Sequence, residues 1–385
     1  MAGITAKAFL LTFLCGLFPP TWARAQVTIE YVAHSCFRVQ SPAGINVVLD
    51  PYNGHRWLGY SFPESVVAHA ILITHPHYDH DASYYWPVSV PVFRTPGRYA
   101  FGDVRIEGIP GKHADPHGKE FGQINTIWVL EVGGLRIVHL GDNGPLTQAN
   151  VQTLGRVDVL MVPIDSKHHI LSEDEIEAIR RALKPRILIP MHYQLPALSS
   201  EPKSLGPIEP WLAEHHDTHR LTTNCVVLQQ QSLPLKEEIL VFQPSAAVKP
   251  WSSRYREALA EADKAKQLQG DTSPGARKEA AERLRKATEL APDAIIFWQG
   301  LGRALQTTGN TEEAIQVLER GLAGAGADDW EYTANTRALL AQLYSSTGRR
   351  DLAAQQYRLI LNSTHQEALR KLAKDFRESS ASLCR

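Results

Sequence analysis

The sequence predicts an α/β domain followed by an all-α repeat domain, and three observations carry that expectation. Short apolar runs that end in histidine or aspartate recur through the N-terminal part. One of them leads into a segment that holds three imidazoles and two carboxylates. Beyond residue 244 the strand signals stop, and Ala, Leu, Glu, Arg and Lys recur at helical spacing. At 385 residues the chain exceeds one typical domain, and 43% apolar content is enough to build a core in each part. The 40 Lys and Arg against 41 Asp and Glu leave a net charge of −1, so no basic excess supports nucleic-acid binding.

Residues 1–25 read as a signal peptide. Lys7 gives a positive start, residues 8–18 are apolar, and Ala23-Arg24-Ala25 offers a small-x-small cleavage site before Gln26. The expectation is an exported protein, periplasmic or secreted, with no membrane span after cleavage, because a spanning helix needs about 20 apolar residues. Cys15 raises a lipoprotein reading, which the bulky Leu14 before it disfavours. Cys36, Cys225 and Cys384 are an odd set and form no disulfide framework. Cys36 is expected on a strand face with His34, as a packed thiol.

Residues 26–243 form the expected catalytic domain. Ala70-Ile71-Leu72-Ile73 reads as a buried strand, and Thr74-His75-Pro76-His77-Tyr78-Asp79-His80-Asp81 follows where the chain leaves the sheet. That is where α/β proteins place ligands. In an extended segment His75 and His77 would face one side and grip one ion, with Asp79 and His80 free to reach a second. Imidazole with carboxylate suits zinc, manganese or iron. Three further apolar runs carry candidate residues at their tips: Val48-Leu49 before Asp50, Ile137-Val138-His139-Leu140-Gly141 before Asp142, and Ile187-Leu188-Ile189-Pro190-Met191 before His192.

With its H-x-H-x-D-H segment after a strand, the chain resembles the metallo-β-lactamase fold superfamily. Ala33-His34-Ser35-Cys36-Phe37, Val48-Leu49-Asp50-Pro51-Tyr52, Asn125-Thr126, His139-Leu140-Gly141-Asp142 and Pro190-Met191-His192-Tyr193 make it similar to the branch of ascorbate-phosphate lactonases and related metal-dependent hydrolases. The resemblance covers about residues 27–245. It implies a metallo-β-lactamase-like αββα sandwich and two divalent metal ions, zinc foremost. By the family pattern His75, His77 and His113 hold one ion, Asp79, His80 and His192 the other, and Asp142 bridges them. Asp79, Asp142 and His34 are the residues expected to take part in catalysis, with Asp50 orienting a ligand histidine and His34 holding substrate or donating a proton.

The implied activity is hydrolysis of a small-molecule ester, lactone, amide or phosphodiester by a metal-bridging hydroxide. The chain departs from the pattern in two places. Asp165-Ser166-Lys167-His168-His169 stands where relatives often carry a glycine pair, so substrate preference does not transfer. His168 and His169 are expected to be exposed loop residues. His117, four residues after His113, competes for the third ligand position, which the spacing to Gly122 and Asn125 gives to His113.

Residues 244–254 read as a linker, with Pro244 and Pro250 bracketing mostly small residues. Since all seven expected ligands precede it, a chain ending near Pro244 is expected to keep metal and turnover. Residues 255–375 resemble tetratricopeptide repeats, helical hairpins of about 34 residues. Trp298, Leu301, Gly302, Leu305, Gly309, Ala314 and Leu318 fit one repeat, and Leu340, Tyr344, Gly348, Ala353 and Tyr357 another. Gly275, Ala280, Leu284, Ala287 and Pro292 fit a weaker one. Such arrays present a surface to a protein partner. The competing reading of the whole chain is a repeat-mediated interaction protein whose metal site is structural or vestigial.

Overall fold

The computed structural model of the chain describes residues 25–54, 57–63, 65–114, 124–199, 203–324, 330–363 and 367–382. Residues 1–24 of the expected leader, Cys384 and His117 lie outside them. Strands β1 (Val27–Ala33), β2 (Cys36–Gln40), β3 (Asn46–Leu49), β4 (Ala70–Leu72), β5 (Val92–Phe93) and β13 (Cys225–Leu228) form one sheet in the order β13-β1-β2-β3-β4-β5. The second sheet holds β6 (Gly97–Phe101), β7 (Val104–Lys112), β8 (Ile124–Val132), β9 (Leu135–His139), β10 (Val159–Pro163), β11 (Ile187–Met191), β12 (Thr218–Arg220) and β14 (Glu238–Val241). Its order is β12-β14-β11-β10-β9-β8-β7-β6.

The pleat sorts side chains between two cores. Ile29, Tyr31, Phe37, Val39, Val47 and Leu49 of the first sheet meet Trp128, Leu130, Ile137, Met161 and Ile189 of the second. Their neighbours Val48, Ile127, Val129, Val138, Leu160, Val162 and Leu188 face the other way and join Ile176, Ile179 and Leu183 of the helix Glu173–Leu183. Strands buried on both faces explain why their sequences are continuous apolar runs without alternation. Ser172 caps that helix reciprocally with Glu175, which fixes where β10 turns back toward β11. Two packed sheets with the helix Glu173–Leu183 against the second make a sheet-rich, metallo-β-lactamase-like domain, as expected.

β3 pairs parallel with β4, and β9, β10 and β11 run parallel to one another. Their C-terminal tips therefore open on the same side, and the candidate residues sit just beyond them. Asp50 follows β3, Asp142 follows β9, Asp165 follows β10 and His192 follows β11.

After β14 the chain becomes helical. The pairs Ser253–Gln267 with Pro274–Leu290, Ile295–Thr307 with Thr311–Gly324, and Trp330–Ser346 with Arg350–Ser363 form successive hairpins, followed by Glu367–Ser382. Gly309 and Gly348 turn the second and third hairpins at φ of 80° and 79°, a region open to glycine at little cost. A side-chain carbon at Gly302 would meet Leu318 at 2.5 Å, and one at Gly321 would meet Trp298 at 2.4 Å. The small residues of the repeat pattern thus mark close helix contact. None of the described helices is long and apolar enough to cross a membrane.

Candidate metal centre

The segment after β4 bends immediately and does not stay extended. His75 and His77 still converge, Nε2 of the first lying 3.1 Å from Nδ1 of the second. Their donor atoms and that of His113 lie within 4.8 Å of one another, and so do those of His34, Asp79, His80 and His192. Asp142 stands between the two clusters. Its Oδ1 is 3.2 Å from His80 Nε2, and its Oδ2 is 3.2 Å from His192, 3.6 Å from His113 and 3.8 Å from His75, each measured to Nε2.

The strand tips aim these side chains by unusual backbone geometry. Asp50, His192 and His34 have φ of 44°, 62° and 57°, in the left-handed region that costs a non-glycine residue about 1 kcal/mol. Three such residues in one buried cluster mark a site where conformation is held by its surroundings. Gly141, at φ 56°, is required on two counts, since a side-chain carbon there would meet Thr74 at 2.5 Å and Asn125 at 2.7 Å. Asn125 donates to the carbonyl of Leu140 at 2.8 Å, and Thr126 N–H donates to the carbonyl of Thr74 at 2.7 Å. Those contacts tie β8 to both metal-facing loops.

A network of hydrogen bonds sets the tautomers. Asp50 Oδ1 accepts from the Thr74 backbone N–H at 2.8 Å, and its Oδ2 accepts from the Thr74 hydroxyl at 2.6 Å and from His80 Nδ1 at 2.7 Å. Because the Thr74 hydroxyl gives its proton to Asp50, it accepts from His75 Nδ1 at 3.0 Å. His113 Nδ1 donates to the carbonyl of Ala114 at 3.0 Å. In all three imidazoles Nδ1 donates outward, which leaves Nε2 directed at Asp142 and able to ligate once a metal displaces any proton there.

The electrostatics agree with that fit. Burial works to lower the pKa of His80, but the Asp142, Asp79 and Asp50 carboxylates outweigh it and hold the ring well above its ordinary value. Burial likewise works to raise Asp142, while His192 and His80 hold it well below the usual carboxylate range. The cup attracts positive charge. His80 Nε2, His192 Nε2 and Asp142 Oδ1 are buried and make no hydrogen bond among the described residues, so these atoms are available to divalent cations.

Residues 28–192 match the model of the beta-lactamase superfamily domain, and residues 293–363 match the tetratricopeptide repeat. Residues 28–192 belong to the beta-lactamase superfamily. A UPF0173 metal-dependent hydrolase of Thermococcus onnurineus is 24% identical over 204 residues, covering 46% of this chain and 89% of the relative. One of Myxococcus xanthus is 27% identical over 220 residues, covering 49% and 78%. A solved structure from Thermotoga maritima assigned to the metallo-beta-lactamase superfamily is 26% identical, with a TM-score of 0.45 over 57% of this chain and all (100%) of that one.

Within the superfamily domain, every residue expected as a metal ligand is brought to the cup: His75, His77, Asp79, His80, His113, Asp142 and His192. Asp50 orients His80, as expected. Two expectations need correction. His34 and Cys36 do not share a strand face, because His34 lies in the turn between β1 and β2 while Cys36 begins β2 and packs in the core. Fully buried, His34 sends Nε2 to Asp79 Oδ2 at 3.2 Å. Burial, then the neighbouring His192, pushes its pKa down to about 3, so its ring is neutral near pH 7.

The second correction concerns the loop after β10. His168 is exposed, 3.6 Å from Glu173, but His169 is half-buried and turned inward. Its ring stacks on His192, with centroids 5.5 Å apart and planes 12° from parallel. Asp165 accounts for the difference: its Oδ1 accepts from the backbone N–H of Lys167 at 2.7 Å and of His169 at 3.3 Å, curling the loop so that consecutive histidines part. Trp57 and His139 also belong to the site; no motif marks Trp57, and the motif that holds His139 does not disclose its role. His139 accepts from Gly141 N–H at Nδ1 and donates from Nε2 to the carbonyl of Ser35 at 2.9 Å, bracing the His34 turn.

Proposed function

We propose that this chain is an exported, dinuclear metal-dependent hydrolase acting on a small-molecule ester, lactone, amide or phosphodiester. The position of Asp142, with one oxygen toward His80 and the other toward His75, His113 and His192, carries the two-ion reading. A structural zinc needs four closed ligands and no shared carboxylate between two donor sets. His75, His77 and His113 would hold one ion, and Asp79, His80 and His192 the other. When bound, such ions polarise the scissile carbonyl or phosphoryl group and let water attack near neutral pH.

The chain's own residues supply position and protonation state. Asp50 fixes the His80 tautomer directly and that of His75 through the Thr74 hydroxyl. His34 has no exposed surface and therefore acts on Asp79 rather than on substrate. It is a positioning residue. We further propose that the tetratricopeptide repeats carry a protein-binding surface, in keeping with the family model matched by residues 293–363.

Elemental analysis of the purified protein together with a screen of ester, lactone, amide and phosphodiester substrates tests the reading. The expected result is two ions per chain and turnover on one bond type that a chelator abolishes. One ion with no turnover on any of them would favour the interaction-protein reading instead.

A further inference from the structure

Trp57 and His169 are the half-buried aromatic residues of the site that the ligand geometry does not use, His139 being fully buried. Among the described residues, none of the converging donor sets includes His169. Both side chains are half-buried; His169 sets one ring face against His192, while Trp57 meets the cup edge-on and at a tilt. Trp57 lies 5.9 Å from His169, 6.0 Å edge-on from His34 and 6.4 Å from His192, centroid to centroid. His169 lies flat on His192. The indole N–H of Trp57 makes no hydrogen bond to a described residue, whereas Trp86 and Trp251 donate theirs to the carbonyls of Val66 and Gly54. Those two brace loops. Trp57 braces nothing by that route.

Both positions are held from behind. The Trp57 loop is pinned where Asn53 N–H donates to the Tyr78 carbonyl at 2.8 Å, Gly54 N–H to the Tyr85 hydroxyl at 3.3 Å, and Trp251 to the carbonyls of Gly54 at 2.8 Å and Gly59 at 3.1 Å. The His169 loop is curled by Asp165, itself buried. A half-buried ring held by such a frame at the edge of a metal cup has the properties of a binding platform.

We propose that Trp57 and His169 form an aromatic lip that binds a planar aromatic or heteroaromatic group of the substrate beside the scissile bond. The inference rests on the hydrolase reading and adds the substrate's chemical class to it. An incoming ring stacks on the outward faces of the pair while the hydrolysable group reaches the cup. The sequence departure from the glycine pair at this loop then has a physical meaning, since two glycines would offer no such face.

The test uses the full-length, metal-loaded protein and two probes with the same carboxylate head, benzoate and acetate, followed by titration calorimetry. Benzoate should bind about tenfold more tightly than acetate, the scale of one or two aromatic contacts. Trp57→Ala and His169→Ala should each bring that ratio toward one while acetate affinity and metal content stay as in the unmodified protein, and Trp57→Phe should restore most of it. Equal binding of the two probes by the unmodified protein overturns the lip. So does a ratio that survives both alanine variants, or a Trp57→Ala protein that loses acetate and benzoate alike. Failure of the hydrolase reading is separately visible, as an unmodified protein that takes up no metal in elemental analysis.

Discussion

Asp50 illustrates how one carboxylate sets the chemistry of atoms it does not touch. It receives both Thr74 groups and His80 Nδ1, and so determines which nitrogen of His80 and His75 faces the cup. Asp50→Asn removes the negative charge and turns one acceptor into a donor, so affinity for the ions should fall about 10- to 100-fold, the usual cost of an orienting partner. Competition with a metal-sensitive dye measures it, and unchanged affinity would refute the relay. Asp142→Ala should do more, with at least one ion lost per chain by elemental analysis and turnover reduced by more than about a hundredfold. The fold should survive, as judged by circular dichroism. Normal two-ion content in that variant would show that Asp142 bridges nothing. The ligand residues were legible because His75, His77, Asp79 and His80 are neighbours in sequence and Asp142 and His192 end apolar runs, whereas His113 was placed by the resemblance alone. Trp57 was not, and the roles of His169 and His139 were not either, since each depends on partners far along the chain, such as Ser35 for His139.

Among the elements, strands were easier to foresee than the turns between them. Apolar runs announce β9, β10 and β11 because both faces are buried. The His34 turn gave no comparable signal, because its left-handed φ depends on contacts such as the hydrogen bond from His192 N–H to the His34 carbonyl. In the helical part the small residues report packing directly. Gly302→Val would push into Leu318 and should cost about 1–3 kcal/mol by chemical denaturation, the range for overpacking. Glu261 gives the first hairpin a pH dependence. Hydrogen bonds from Lys264, Lys286 and Arg283 hold its carboxyl down to about 2, from an ordinary 4.5. A depressed carboxyl contributes its stability above pH 4.5 and loses it as the pH falls toward 2. The melting temperature of the unmodified protein should therefore exceed that of Glu261→Gln above pH 5, and the two should converge toward pH 2. A difference that does not change with pH would rule out this ion cluster as its source.

At the scale of the whole molecule, the segment between the superfamily domain and the repeats is the part whose role the sequence did not disclose. Proline and small residues read as a spacer, yet Val248 is buried in the sandwich core, and Tyr60 pairs with Pro250 in a strand-like bridge. Ser61 N–H donates to the Lys249 carbonyl at 2.9 Å, and Lys249 N–H donates to the Ser61 hydroxyl at 3.1 Å. Trp251 then packs at a tilt against Tyr255 of the first repeat helix, and Tyr255 likewise against Phe297 of the third. The loop bearing Trp57 is thus fastened to residues that precede the repeats by only a few positions. Two truncations separate the contributions. A chain ending at Pro244 retains every proposed ligand and should keep its metal content, but it loses Lys249, Pro250 and Trp251, so the preference for benzoate over acetate should fall about as far as in Trp57→Ala. A chain ending at Ser252 keeps those anchors without the repeats and should retain the preference. Loss of metal in the shorter chain would make the segment part of the metal centre itself, and equal behaviour of the two chains would leave the fastening of the Trp57 loop to residues before 244.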